Sequence, residues 1–253
     1  MILEALQHFL TPARREVKAL GYVREAIAID ARYNRCRADW ADHLDNCRQQ
    51  ILITSARLTP GSTVMIIGSG ALHDVPVAGV LDQGHSLILV DIVHLPKVRR
   101  RYRTNPRIRF IEQDVTGLVR PLFDRCLSAP DSQSDLPKAD LVISLNILSQ
   151  LPISLISYAK KHKITLRDNF SQTLMASHLK LLASLAPTAL IISDLERRYL
   201  KGEQVVDTED ALAGCDLGTP VASWDWHIAP RGELDRVLSL IHHVACWQIP
   251  VGK

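Results

Sequence analysis

The stretch STVMIIGSGALHDVP, residues 62–76, runs four apolar residues (Val64, Met65, Ile66, Ile67) into a glycine pair, Gly68 and Gly70. A short continuous apolar run that ends in glycine reads as a strand buried on both faces, followed by a sharp turn toward a helix. Glycine there lets the backbone approach a neighbour or ligand where a Cβ would clash. A nucleotide-binding loop would carry a third glycine, and Leu72 stands in its place. Asp74 and Pro76 then read as the N-cap and first turn of a helix beginning VPVAGVL.

Outward from this stretch the pattern repeats. HSLILVDIV (85–93), RIRFIEQDV (107–115), ADLVISLNIL (139–148) and TALIISDLE (188–196) are further apolar runs. Helical stretches fit between them: VPVAGVLDQ, LPKVRRRYR and SQTLMASHLKLLASLA (171–186). Strands alternating with helices predict a doubly wound, mostly parallel α/β sheet with right-handed crossovers. Toward the C-terminus, VASWDWHIAP (221–230) and LSLIHHVACWQIPV (238–251) read as strands joined near RGELDR. That connection is too short for a parallel crossover, so at least one of the two is expected to be antiparallel. APDSQSDLPK (129–138) reads as a loop insertion.

Residues 1–58 differ. Leu3, Leu6, Phe9 and Leu10 recur at helical spacing up to Pro12, and residues 24–58 carry charges and an apolar stripe without Gly or Pro. TPGST (59–63) is a turn cluster. It divides an N-terminal helical cap or extension, 1–58, from a nucleotide-type domain, 59–253.

Composition narrows the classes. The 253 residues are 47% apolar and 23% charged, ordinary for a globular chain, and no apolar run reaches the ~20 residues needed to span a bilayer. In the first twenty residues Glu4 comes early and Arg14 and Arg15 follow the apolar part, the reverse of a secretory signal; a cytosolic protein is expected. The five cysteines lie far apart without a C-x-x-C pair, and the ten histidines show no H-E-x-x-H, so neither a disulfide framework nor a metal is expected. A net charge of +3 does not argue for nucleic acid, but PKVRRRYRTNPRIR (96–109) holds seven basic residues. This segment is either a solvated helix face or a patch for RNA or another anionic partner.

In open α/β sheets ligands bind beyond the carboxyl ends of the strands. The residues at those ends form a set: Gly68-Ser69-Gly70, Asp91, Asp114 and Asn146. Asp91 follows Gly68 by 23 residues, the place for a carboxylate that accepts hydrogen bonds from ribose hydroxyls. Asp114, another 23 residues on, suits the exocyclic amine of adenine, with Ile92 and Val115 covering the ring. Taken singly, each Asp reads as a helix cap or a loop carboxylate. An acid at Asp74 repels a pyrophosphate and tolerates a positively charged ligand.

The ordered set VMIIGSGA, LILVDI, IRFIEQDV and ADLVISLNILSQLP resembles the first four motifs of class I S-adenosylmethionine-dependent methyltransferases, over residues 62–152. The family usually carries an acid two positions before the first glycine, where Ile66 stands here, and aromatic or histidine residues after the fourth strand, where Ser149 and Gln150 stand. The resemblance implies a seven-stranded sheet with an antiparallel last strand and S-adenosylmethionine as co-substrate. It places Gly68 and Gly70 beside the methionine moiety, Asp91 on the ribose, Asp114 and Val115 at the adenine, and Asn146 near the transferable methyl.

On the acceptor side, alternation along VASWDWHIAP puts Trp224 and Trp226 on one face and Asp225 and His227 on the other. The tryptophans read either as core or as an aromatic wall for a planar or cationic acceptor. His227 is the candidate general base with Asp194 or Glu196 assisting, and Gln150, Tyr199 and Trp226 are candidate substrate contacts. The N-terminal segment, with Tyr22, Tyr33 and Trp40, is expected to lid the site or to form a homodimer arm. The reading is a methyltransferase for a small-molecule O or N acceptor. Beside it stand an RNA methyltransferase using 96–109, a non-catalytic S-adenosylmethionine-binding or interaction protein, and an enzyme using the aminocarboxypropyl arm of the same cofactor.

Overall fold

The structure is a computed structural model that describes residues 7–127, 135–234 and 236–250. Leu3 and Leu6, most of the 129–138 insertion and Val251 lie outside the described residues. Among the described residues a helical turn at 7–10 precedes the helices α1 (Arg15–Ala19), α2 (Tyr22–Arg35) and α3 (Arg37–Ser55). Then follow β1 (Thr63–Ile67), α4 (Val77–Asp82), β2 (Ser86–Asp91), α5 (Pro96–Tyr102), β3 (Ile108–Glu112), α6 (Val119–Phe123) and β4 (Leu141–Leu145). A 3-10 turn (Leu148–Gln150) leads into α7 (Leu151–His162), α8 (Phe170–Leu185) and the strands β5 (Thr188–Lys201), β6 (Gln204–Asp210), β7 (Ala222–Ala229) and β8 (Leu238–Pro250).

The strands form one sheet in the order β3-β2-β1-β4-β5-β8-β7. β1 to β5 pair in parallel, while β8 is antiparallel to both β5 and β7. This is the arrangement that the resemblance implies, a seven-strand path with the last strand in sequence running backwards. The expected count of seven is corrected to eight by β6, which hairpins off β5 at Gly202 and pairs only with it. β5 therefore runs to Lys201, five residues beyond its expected end. Every residue of β6 is exposed, so QVVDTED carries no buried face and no apolar period by which sequence could reveal it.

Burial explains the continuous apolar runs. Met65 and Ile67 of β1, Val90 of β2, Val142 of β4 and Ile191 of β5 face a layer built from α2, α6, α7 and α8. Val64 and Ile66, with Leu89, Ile143 and Ile192, face α3, α4 and the inner side of β7 and β8. With both faces covered, each strand residue must be apolar, and alternation vanishes. α3 presents buried Trp40, His43, Leu44, Cys47, Ile51 and Thr54, a stripe at three- and four-residue steps, to the second layer.

The chain reverses its strand order between β1 and β4, and the crevice outside their carboxyl ends is the switch point where such sheets bind ligands. Gly68 holds this crossing tight. It has φ +85°, and a Cβ built on it would stand 2.5 Å from the carbonyl oxygen of Leu145. The expected cap at Asp74 is also corrected: α4 begins at Val77 after Pro76, with no side-chain cap. The chain from Gly70 to Pro76 is an irregular loop, and the Asp74 carboxylate turns toward Asn146 at the tip of β4 instead.

Candidate functional site

The site is built first by the glycine loop. The N–H groups of Gly68 and Ser69 donate to the carbonyl oxygen of Val90, which lays the loop across the end of β2. Gly68, Gly70 and Leu72 all have positive φ, +85°, +49° and +62°. Leu72 thus adopts the conformation that glycine would adopt without strain. It is held there by packing, since its side chain contacts both core layers. Ser69 is buried, and its hydroxyl pairs with His94 Nε2 at 2.9 Å, so it serves the core while its backbone serves the loop. A Cβ on Gly70 would find only the Gly68 carbonyl at 3.9 Å, so this Cα faces open space.

Asp91 closes the loop from β2. Its Oδ2 accepts from Gly70 N–H at 2.8 Å and its Oδ1 from Ile92 N–H at 2.8 Å. Burial pushes its carboxyl up to about 6 against those hydrogen bonds, and the charge of Asp74 adds to the rise. Asp114 is more fully engaged. Oδ1 accepts from the Thr116 N–H at 2.9 Å and the Thr116 hydroxyl, and Oδ2 from Val119 N–H at 2.8 Å, so it also ties down the start of α6. Ile92 and Val115 are half-buried against the first core layer. Tyr22, from the start of α2, joins this end of the site. Burial, and then the charges of Asp114 and Asp91, push its phenol upward, so it stays protonated as a donor beside two carboxylates.

The other end of the site gathers four groups. Asn146, at the tip of β4 with φ +50°, donates from Nδ2 to Asp74 Oδ2 at 2.9 Å. The same nitrogen lies 3.3 Å from His43 Nε2 and 3.7 Å from Cys47 Sγ. His43 and Cys47 stand four residues apart on α3, hence on one helix face. His43 stacks on Trp226, with ring centroids 3.9 Å apart, and its Nδ1 accepts the Trp224 indole N–H at 3.0 Å. Burial holds His43 down to about 3 and keeps the ring neutral. Burial likewise raises the carboxyl of Asp74, opposed by the bond from Asn146.

Donor atoms of His43, Cys47 and Asp74 lie within 4.8 Å of one another, a spacing open to a metal ion. Their hydrogen bonding fits a proton network better. An indole can only donate, so Nδ1 must accept and the neutral ring carries its proton on Nε2, where a metal would have to bind.

A second set of ties locks the loop from outside. Asp30 on α2 pairs with His73 Nε2 at 3.1 Å and with Lys97 of α5, and both hold its carboxyl below the usual range. Tyr33 stacks on His73 with centroids 3.6 Å apart. Arg48 of α3 donates to the His73 carbonyl.

The acceptor-side candidates separate. Asp194 is buried midway along β5, not at its end as expected, accepting from the Ser149 hydroxyl and from Arg197 Nε at 2.7 Å, with His242 Nδ1 at 3.5 Å. His227 lies exposed on the outer face of β7, with β8 between it and Asp194. The two are not brought together. Trp226 is buried in the second layer, Gln150 is exposed on the 3-10 turn, and Tyr199 lies half-buried on the part of β5 that pairs with β6. A cavity of about 470 Å³ opens between α7, α8 and the β5–β6 hairpin, lined by Ser149, Ile153, Lys160, Met175, Arg197 and Asp210.

Sequence reasoning did not reach His43, Cys47, Asp30 or His73. They lie on separate elements or in the irregular loop, and no spacing rule links them. The donor set as a whole fits a cationic adenosine compound. Three carboxyl groups at the strand ends disfavour a phosphate, while open space over Gly70 and the lone pairs of Asp91 suit an ammonium and hydroxyl groups. Gly68, Gly70, Asp74, Asp91 and Asn146 could hold such a ligand.

No family model and no curated protein matches the chain. Solved structures do. A Rhodobacter sphaeroides chain assigned as a zinc-dependent alcohol dehydrogenase is similar at 15% identity and a TM-score of 0.36, over 58% of this chain and 45% of that one. The present chain thus spans less than half of that protein's length. A 1,6-didemethyltoxoflavin-N1-methyltransferase from Burkholderia thailandensis is similar at 19% identity and a TM-score of 0.40, over 88% of this chain and 89% of that one. The N-methyltransferase NodS from Bradyrhizobium japonicum is similar at 12% identity and 0.37, over 82% and 88%. Likeness at this level bears on neither activity nor ligand.

Proposed function

We propose that the chain is an S-adenosylmethionine-dependent methyltransferase acting on a small-molecule O or N acceptor. The observation that carries the reading is the carboxylate of Asp91 bonded to the Gly70 N–H at the switch point of a class I sheet, with the Asp74–Asn146 pair beside it. Methyl transfer needs an activated carbon, supplied by the sulfonium, and a protein that positions it and excludes water. Asp91 orients the ribose, Asp114 and Tyr22 bound the adenine end, and Asn146 and Asp74 bound the reacting end. The helices α2 and α3 close the cleft from above.

Calorimetry with S-adenosylmethionine and S-adenosylhomocysteine tests this directly. Both are expected to bind, and Asp91→Ala to weaken both by roughly a hundredfold through loss of charge-assisted hydrogen bonds to the ribose. Absence of binding by either ligand would overturn the reading. Unchanged affinity in Asp91→Ala would overturn the site.

A second reading keeps the fold and changes the acceptor to RNA. It is favoured by the exposed residues Arg100, Arg103 and Arg109, which make no ion pair among the described residues, whereas Lys97 and Arg99 are paired with Asp30 and Glu112. RNA affinity falling steeply with salt would support it, and a flat response would dismiss it.

A further inference from the structure

We propose that Asp74 is the residue by which this chain tells S-adenosylmethionine from its demethylated product: its carboxyl is protonated when the cleft holds the neutral thioether and ionises when it holds the sulfonium. The inference rests on the methyltransferase reading above and deepens it.

The geometry places Asp74 for this role. Its Oδ2 is bonded to Asn146 Nδ2 at 2.9 Å, at the β4 tip that abuts Gly68 across the switch point. Behind this pair the wall is neutral. α3 contributes His43, held uncharged and hydrogen-bonded to Trp224, and Cys47, whose thiol burial keeps protonated. The other charged or titratable groups around Asp74 are few: His73 in its own loop, Arg48 on α3, and Asp91 at the tip of β2. Arg48 is turned to the His73 carbonyl and to Asp45, and His73 to Asp30. Neither forms an ion pair with Asp74, and Asp91 opposes its ionisation.

A half-buried carboxyl facing a neutral wall, with the Asn146 amide and its own backbone N–H as donors and His73 and Arg48 at longer range, loses solvation when ionised and regains only part of it from these partners. Adding a fixed positive charge to the cleft supplies the missing partner. The product differs from the co-substrate by that charge and one methyl group, so the coupling falls on the difference between them. The amide can follow. With Asp74 ionised, Asn146 donates to it as drawn. With Asp74 protonated, a flipped amide accepts from Asp74 and from the Nε2–H of His43. Asp91 meets the same ribose in both ligands, so its own titration cancels in the comparison.

The test is calorimetry of both ligands in buffers of differing ionisation heat, between about pH 5 and 8, which yields the protons exchanged on binding. S-adenosylmethionine is expected to release up to one more proton than S-adenosylhomocysteine. By linkage, the affinity ratio in favour of S-adenosylmethionine rises with pH and then levels off. In Asp74→Asn, which retains an acceptor for Asn146, the difference in protons disappears and the ratio falls roughly ten- to a hundredfold. Equal proton release in the wild type, or a difference that persists in Asp74→Asn, would overturn the inference and leave the methyltransferase reading standing. Failure of either ligand to bind overturns that reading as well.

Discussion

Gly68 and Leu72 occupy the same left-handed backbone region within one loop, and the two positions answer to different forces. At Gly68 a Cβ would meet the Leu145 carbonyl at 2.5 Å and Ile147 Cβ at 2.9 Å, and backbone cannot swing aside as a long side chain can. Gly68→Ala is expected to cost about 3 kcal/mol or more, read by urea denaturation. An unchanged midpoint would mean that the β1–β4 crossing is loose. At Leu72 the left-handed conformation costs about 1–2 kcal/mol, offset by the contacts its side chain makes with both layers. A missing glycine in the sequence therefore does not signal a different loop. The glycine conformation persists under a residue whose burial sustains it.

Among the elements, α3 links the sheet to the reacting end of the site. Trp40 packs edge-on against Trp226 with centroids 5.0 Å apart, and its indole donates to the Ile228 carbonyl at 3.1 Å. Four residues along the chain from Trp40 to Leu44, and seven to Cys47, the same stripe delivers His43 and Cys47 to Asn146. Trp40→Ala is expected to lose about 3–5 kcal/mol of stability, through the cavity and the orphaned carbonyl. Trp40→Phe keeps the ring contact and loses the hydrogen bond, at a cost of about 1–2 kcal/mol. Urea titrations of both variants check the order. Equal losses would assign the whole effect to the hydrogen bond. The β5–β6 hairpin obeys the opposite rule: Val205 and Val206 are about half exposed, and Val206→Lys is expected to change stability by less than about 0.5 kcal/mol.

For the whole molecule, the balance of buried titratable groups sets the response to acid. Burial lowers four histidines from 6.5: His43 to about 3, and His94, His178 and His242 to about 4. Each stays neutral in the folded chain but takes up a proton on unfolding below 6.5, so stability falls as pH drops from there toward 4. Asp91, raised to about 6, and Asp74, raised by burial, act in the opposite sense. Their contribution is present below the unfolded value of 3.8 and is lost as pH rises through the folded one. The four lowered histidines outnumber the raised carboxyls, so unfolding near pH 5 takes up protons on balance, at about 1.4 kcal/mol per pH unit for each net proton. The urea midpoint is expected to decline steeply below about pH 6.5, with the histidines prevailing. A midpoint unchanged between about pH 7 and 5.5 would show that these histidines are hydrated.

At this same scale the sequence and the tertiary structure divide the account between them. The apolar runs at β1, β2, β3, β4 and β5, and the strand-end residues Gly68, Asp91, Asp114 and Asn146, are legible in the chain alone. A strand covered on both faces must be continuously apolar, and its polar residues then collect where it ends. The short, antiparallel return near RGELDR is legible for a similar reason, since the chain length there forbids a crossover. The exposed strand β6 is not, because a hairpin held by backbone hydrogen bonds places no demand on side-chain pattern. Nor is the cluster of His43, Cys47, Asp74 and Asn146, with more than ninety residues between its extremes. Asp74 by itself reads as a helix cap. Only when β4 lies beside β1, and α3 closes over both, does its carboxylate meet an amide in place of a helix end. Local spacing specifies which atoms a residue presents; burial against distant elements decides what those atoms face, and hence their charge.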